Sequence, residues 1–346
     1  MQPNTSRKSK ITKALSALGL AGLLATGTAQ AVTITIDNSG GQTFALDAAR
    51  HFLYTGESTG PGGTKHLDVI NTLTNTVVGN FSFTAGGYSS QIAASGTNVF
   101  WADQGSSLVR VIAVSNAGTP TAQRNDSLTL ATGVAALPGT YAASLQGTGD
   151  FMRIMNSGTG STLQNVALGG VAGQVYADPL TNLYFARSTS AFKVITLGGT
   201  IFTTIPGLVT AIDASPAHHF VYYSPTGQVL NQLDGGSIAS TGRSFDFGAG
   251  ASMSYVAADA QTGHVWVTLQ AQNRVVELDP ALNFVQQFTV TGAEAIAIQD
   301  GEAFVHQVGT SNVVVLAAPE PASVGLIVGV LGAVGAFRRR RAARVA

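Results

Sequence analysis

The 346-residue chain contains no cysteine. Disulfide bonds, thiolate metal centres and a cysteine nucleophile are thereby excluded, and an exported body must draw its stability from its core. Charged residues make up only 10% of the sequence, which is unlike a helical cytosolic enzyme. No amphipathic helical pattern appears between the first 31 residues and the C-terminal tail. The His-Glu-x-x-His and His-x-x-Glu-His metal motifs are missing, as is the Gly-x-Ser-x-Gly turn that presents a serine nucleophile. The Gly-rich stretches GQTFALD, GGTKHLD and GPGG lack the strand–loop–helix setting of a phosphate cradle. What the chain does have is 41 glycines among many Val, Thr and Ser residues, a composition that suits short strands joined by tight turns.

The formal net charge of zero hides an uneven distribution. Arg7, Lys8, Lys10 and Lys13 stand at the start, and Arg338, Arg339, Arg340, Arg341 and Arg344 at the end. Residues 32–317 carry nine Lys and Arg against 17 Asp and Glu, a net of −8. An acidic body argues against a nucleic-acid partner, because phosphate backbones are bound by basic surfaces.

Both ends read as addresses. At the N-terminus, basic residues precede the apolar run from Ala14 to Ala25, and Ala29-Gln30-Ala31 follows. This is the order of a secretory signal peptide over residues 1–31, with signal peptidase cutting after Ala31 and before Val32. At the C-terminus, Pro319-Glu320-Pro321 cannot enter a helix interior. The apolar run from Ala322 to Phe337 follows, reaching about 24 Å as a helix. A hydrocarbon core of ~30 Å is within reach if Arg338, Arg339, Arg340 and Arg341 snorkel and remain cytoplasmic. The expectation is an exported body, held in the membrane by one C-terminal helix until that tail is processed.

Pro-Glu-Pro, a short glycine-rich span and a terminal arginine cluster resemble the PEP-CTERM sorting signal of Gram-negative bacteria, here over residues 318–346. The resemblance implies a specific partner, exosortase, a membrane-embedded cysteine transpeptidase-like enzyme. Pro319, Glu320 and Pro321 would be the recognition element, and Arg338, Arg339, Arg340 and Arg341 the cytoplasmic stop. It implies surface display or release, often in bacteria that make extracellular polysaccharide.

Between the ends the sequence repeats. FALDAARHFLYTG begins at Phe44, IAASGTNVFWADQG at Ile92, VAALPGTYAASLQG at Val134 and VYADPLTNLYFARS at Val175. AIDASPAHHFVYYS begins at Ala211, YVAADAQTGHVWVTLQ at Tyr255 and AIAIQDGEAFVHQ at Ala295. Each is a small-residue strand, a turn and an apolar–aromatic strand, and a second pair of strands follows. A period of roughly 40 residues with four short strands is that of a β-propeller blade. Seven starts predict an all-β, seven-bladed propeller over residues 32–317; a six- or eight-bladed ring, or a pair of sandwiches, is the alternative. The seventh unit is too short for four strands, and VTITIDN (32–38) is expected to supply the last one.

The segment VWVTLQAQNRVVELDP (265–280) resembles YVTN and NHL-type repeats. Val267, Thr268, Asn273, Val275 and Asp279 match that pattern, which implies the fold and no activity.

Candidates for chemistry are few. Some propellers are lactonases that hold a metal in the central channel with acids from several blades. Asp47, Asp213, Asp259 and Glu294 are the residues here that could do so, and Asp47, Asp213 and Asp259 are read as similarly placed in their repeats. Carboxylates at strand ends also commonly cap turns. His51, His219 and His264 fall near equivalent turns, which repeat packing explains better than a shared ligand site. The adjacent His218 and His219 would face opposite ways on a strand. Trp101 and Trp266 are read as core residues at matched positions. No catalytic, cofactor-binding or metal residue is therefore assigned. The expected role is a binding or scaffold module at the envelope surface or in the extracellular matrix, with an extracellular polysaccharide or a protein as ligand. The alternative is a metal-assisted, lactonase-type hydrolase.

Overall fold

The computed structural model describes residues 31–317 other than 38–41, 58–62, 86–88, 147–149, 189–190, 207–210 and 216–218. The chain enters through β1 (Ala31–Thr35), which belongs to the last blade. Blade one is β2 (Gln42–Asp47), β3 (Phe52–Glu57), β4 (Gly63–Asn71) and β5 (Thr76–Ala85). Blade two is β6 (Ser89–Ser95), β7 (Asn98–Asp103), β8 (Leu108–Val114) and β9 (Pro120–Ser127). Blade three is β10 (Ala131–Leu137), β11 (Thr140–Leu145), β12 (Phe151–Asn156) and β13 (Thr162–Ala167). Blade four is β14 (Val175–Asp178), β15 (Leu183–Arg187), β16 (Ala191–Thr196) and β17 (Ile201–Pro206). Blade five is β18 (Ala211–Ser215), β19 (Phe220–Ser224), β20 (Val229–Asp234) and β21 (Ser240–Asp246). Blade six is β22 (Met253–Ala258), β23 (Val265–Leu269), β24 (Arg274–Leu278) and β25 (Phe284–Thr289). Blade seven is β26 (Ala293–Gln299), β27 (Glu302–Gln307) and β28 (Asn312–Ala317), completed by β1.

Within each blade the strands are antiparallel neighbours. The first strands, β2, β6, β10, β14, β18, β22 and β26, each touch the next around a closed circle, β26 returning to β2. The fold is a seven-bladed β-propeller. All seven repeat starts lie in these inner strands.

Local chemistry sets the turns. In each of the six blades built from consecutive strands, the residue at or just after the end of the third strand caps the turn to the fourth. Asn71 Oδ1 accepts from Leu73 and Thr74 N–H, and Asn156 Oδ1 from Gly158 and Thr159 N–H. Asp234 Oδ1 accepts from Ser237 N–H, and Asp279 Oδ1 from Ala281 and Asn283 N–H. The hydroxyls of Ser115 and Thr196 accept from Thr119 and Thr200 N–H. Short polar side chains compete for local backbone groups in this way and so stop a strand.

The core lies between blades. Seven apolar clusters occur among the described residues, one in each seam. Successive residues of a strand face opposite ways, so a blade feeds two seams at once. In β23, Val265, Val267 and Leu269 pack toward blade five, whereas Trp266 packs toward blade seven. All five residues of that strand are buried, which is why VWVTL is uniformly apolar apart from one threonine.

β1 closes the ring. Ala31, Val32, Thr33, Ile34 and Thr35 pair with Leu316, Val315, Val314, Val313 and Asn312. The closing strand begins one residue before the expected start of the mature body. The rest of the expected signal peptide, Ala29 included, lies outside the described residues. So do Pro319, Glu320, Pro321, the run from Ala322 to Phe337, and Arg338, Arg339, Arg340 and Arg341. Among the described residues no helix is long and apolar enough to cross a membrane.

Candidate functional site

The inner strands converge on the axis, where there is room mainly for short side chains; hence AAS, VAA and VAA in β6, β10 and β22. A few large polar residues interrupt this alanine pattern, and these line the channel. Gln91 of β6 reaches across two blades. Its Oε1 accepts from Val134 N–H (3.2 Å) and Val175 N–H (3.1 Å), and its Nε2 donates to Val175 O (2.7 Å). Tyr176 of β14 donates through its hydroxyl to Gln174 Oε1 at 2.9 Å. Asp213 of β18 accepts from Ala258 N–H at 2.8 Å through Oδ2.

Gln91, Gln174, Tyr176, Asp213 and Tyr255 border a cavity of about 200 Å³ on the axis. The same Gln91, Tyr176 and Asp213 also form the floor of a wider funnel of about 550 Å³. The funnel wall is formed by apolar residues of β2, β6, β10 and β14, alanines together with larger ones such as Phe44, Leu46 and Ile92, and its rim by Ala48, Ala49, Gly96, Pro138 and Pro179 in the turns after the inner strands. Burial pushes the Tyr176 and Tyr255 hydroxyls well above the usual phenol range; each ring also sits near a negative or phenolic neighbour. Both are therefore neutral donors at any physiological pH.

The four acids proposed as metal ligands do not assemble. Asp47 bonds Arg50 Nε at 2.5 Å and caps Arg50 N–H in the turn after β2. Asp259 lies just past β22, is buried, and accepts from Gln261 N–H and the Thr262 hydroxyl. Glu294 meets the buried His306 at 3.1 Å. Asp213 alone of the four borders the axial cavity, and Asp47 joins it in the lining of the wider funnel. Asp47 and Asp259 are equivalent, each four residues before the left-handed corner of its blade, His51 and Gly263, but Asp213 is not their match. Asp47 pairs with the first residue of its partner strand, Phe52, whereas Asp213 is two residues further in, opposite Tyr222. Asp178, four residues before the corner Asn182, holds the same position as Asp47 and Asp259, and it accepts from Leu180 N–H and the Thr181 hydroxyl much as Asp259 does from Gln261 and Thr262. Among the described residues no group of three or more His, Asp or Glu is placed to hold a metal ion.

The histidines separate too. His51 (φ 56°) and His219 (φ 54°) occupy the left-handed corner before the second strand of their blades. Histidine is one of the few non-glycine residues enriched in that conformation. His264 is not their equivalent: it follows the corner residue Gly263 (φ 71°) and bonds Glu277 at 2.6 Å. His218 lies outside the described residues. Trp101 and Trp266 are both buried. Their settings differ, since Trp101 meets Phe83 of the preceding blade edge-on and Trp266 stacks on Phe288 of its own. Gln91, Gln174, Tyr176 and Tyr255 were missed by motif reasoning. The detectable signal was a bulky polar residue inside, or for Gln174 just before, an otherwise small-residue inner strand.

No family model matches the chain. No curated protein matches it either. Among solved structures it is similar to Kuenenia stuttgartiensis hydrazine synthase, with a TM-score of 0.65 and 12% identity over 82% of this chain and 97% of that one. At that identity the likeness concerns the fold alone.

Proposed function

We propose that the chain is an exported surface or extracellular protein whose propeller is a binding module, its ligand contacting the axial funnel. The observation that carries the reading is the funnel itself: about 550 Å³, open at one face, with mostly apolar walls and with Gln91, Tyr176 and Asp213 at its floor. That volume lies within the range of small-molecule sites. Amide, phenol and carboxylate groups at the floor of apolar walls suit a neutral, hydroxyl-rich ligand such as the end of an extracellular polysaccharide chain. The lactonase alternative is less well supported, since Asp47, Asp259 and Glu294 are already engaged in turns or with His306.

Export belongs to the same proposal. Signal peptidase would release the body at Val32, and an exosortase would recognise Pro319-Glu320-Pro321 in a tail held by Arg338, Arg339, Arg340 and Arg341. The support is the order of these elements in the sequence.

Two measurements test the reading. Neutral oligosaccharides prepared from the host's own extracellular polymer should bind the full-length chain and bind the Tyr176→Ala variant at least about tenfold more weakly. Equal binding by both removes the funnel from the proposal. Intact mass of the protein from cells with and without exosortase should differ by the tail; an identical mass that includes the arginines defeats the sorting step.

A further inference from the structure

Two oxygen atoms buried in the seam between blades seven and one have no hydrogen-bond partner: Thr55 Oγ1 and Asp68 Oδ1. Both residues are 0% exposed. Register places Thr55 of β3 opposite Asp68 of β4, and Asp68 opposite Asn80 of β5. Directly paired residues share a face, so these three form a row. That face looks toward blade seven, because Leu53 and Ile70, two residues away on the same strands, pack with Ile34 and Ile36 there. The chain leaving β1 lays Asp37 on the row. Asp37 N–H donates to Asp68 Oδ2 at 3.2 Å, and Asn80 Nδ2 donates to Asp37 Oδ2 at 2.6 Å.

This arrangement sets two carboxylates side by side, one of them wholly buried and half-satisfied. Like charges so placed repel, and an unpartnered buried oxygen is costly. Lys65 does not answer the need. It lies three residues before Asp68, an odd number, so it faces away from the row, and it pairs with Glu57 at 3.5 Å.

We infer that Asp37, Thr55 and Asp68 form a binding site for one calcium ion at the ring closure. The chemistry matches a hard cation. All three proposed ligands are oxygens, two are carboxylates whose charges equal that of the ion, and the irregular set suits calcium better than the strict octahedron of magnesium. The His66 imidazole, two residues before Asp68 on the same face of β4, also acts on that carboxyl. Asn80 orients the Asp37 carboxylate. The bound ion ties the incoming N-terminal strand to blade one, so it acts as a clasp on the closed ring.

The full-length chain, stripped with EDTA, is titrated with calcium and followed by calorimetry and by thermal unfolding. One calcium per chain is expected, with Kd in the range of about 10⁻⁴ to 10⁻³ M seen for extracellular modules, and a melting temperature that rises with free calcium. Asp68→Asn and the near-isosteric Thr55→Val should each weaken binding about tenfold or more, with Asp246→Asn as an unaffected surface control. Asp68→Asn removes a buried charge and Thr55→Val an unpaired hydroxyl, so both variants are expected to fold without calcium. If the wild type binds no calcium and its melting temperature is indifferent to it, or if both variants bind as the wild type does, the inference is overturned. In that case buried water satisfies the two atoms.

Discussion

Ala31, the first residue of β1, pairs with Leu316 near the end of β28. The last blade is therefore completed by the opposite end of the folded body, with β1 as its outermost strand. Ile34 and Ile36, in and just after this strand, are 4% and 3% exposed, packed with Phe304, Val313 and Val315 of blade seven and Leu53 and Ile70 of blade one.

Ile34→Ala should consequently cost about 2–5 kcal/mol, the range for a large-to-small change in a well-packed core. Urea unfolding of the full-length chain measures it. Val32→Ala, at a residue 45% exposed in the same strand, should cost far less. Similar losses at the two positions would mean that β1 contributes by pairing alone.

Asp68 makes stability depend on pH. Burial, its first cause, and the neighbouring Asp37 raise its carboxyl to about 6 from the ordinary 3.8, against the opposing pull of the Asp37 N–H and His66. Between those two values the folded chain holds a proton that the unfolded chain does not. Its contribution to stability therefore improves as pH falls through about 6 and worsens as pH rises. In calcium-free buffer, wild type should gain on Asp68→Asn by on the order of 1 kcal/mol between pH 7 and pH 5. A constant difference between the two across that window would contradict the assignment.

Gly79 of β5 lies against the turn of the next blade. A Cβ there would strike the carbonyl oxygen of Gly118, and Pro120 Cδ at 2.9 Å. Gly79→Ala should destabilise by about 1–3 kcal/mol, as overpacking against backbone does. Gly63→Ala, where a Cβ would meet nothing within 4 Å, is the matched control.

Arg124 fastens blade two to blade three. Its Nε bonds Asp126 at 2.9 Å, and its two terminal nitrogens donate to Gly158 O and Ser157 O, both at 2.8 Å. Asp126 also accepts from the Tyr141 hydroxyl at 2.6 Å. Arg124→Lys cannot reproduce that fork and should cost about 1–2 kcal/mol. In a double-mutant cycle with Tyr141→Phe, the two losses should be non-additive, because both residues share the Asp126 carboxylate.

The repeat period, the seven units and the borrowed strand could be read from one sequence because each rests on local rules. Alternation marks a strand, and Asn, Asp, Gly and Pro mark a turn wherever they fall. The left-handed corners at His51 and His219 were visible as residues but not as backbone geometry, so these histidines looked like repeat packing. Asp47 and Asp259 are alike in fact, whereas Asp213 looked like them only because its turn is of similar composition; its pairing with Tyr222, two residues inside the strand, separates it from Asp47 opposite Phe52.

Composition and periodicity by themselves thus determined an acidic, cysteine-free ring of four-stranded units. What meets at the axis was decided by closure, which brings Gln91, Tyr176, Asp213 and Tyr255 from four different blades around one cavity. Closure likewise sets Asp37 beside Asp68 across 31 residues of chain. Neither meeting has a sequence signature, because side chains from separate strands become neighbours only after the whole circle of blades has formed.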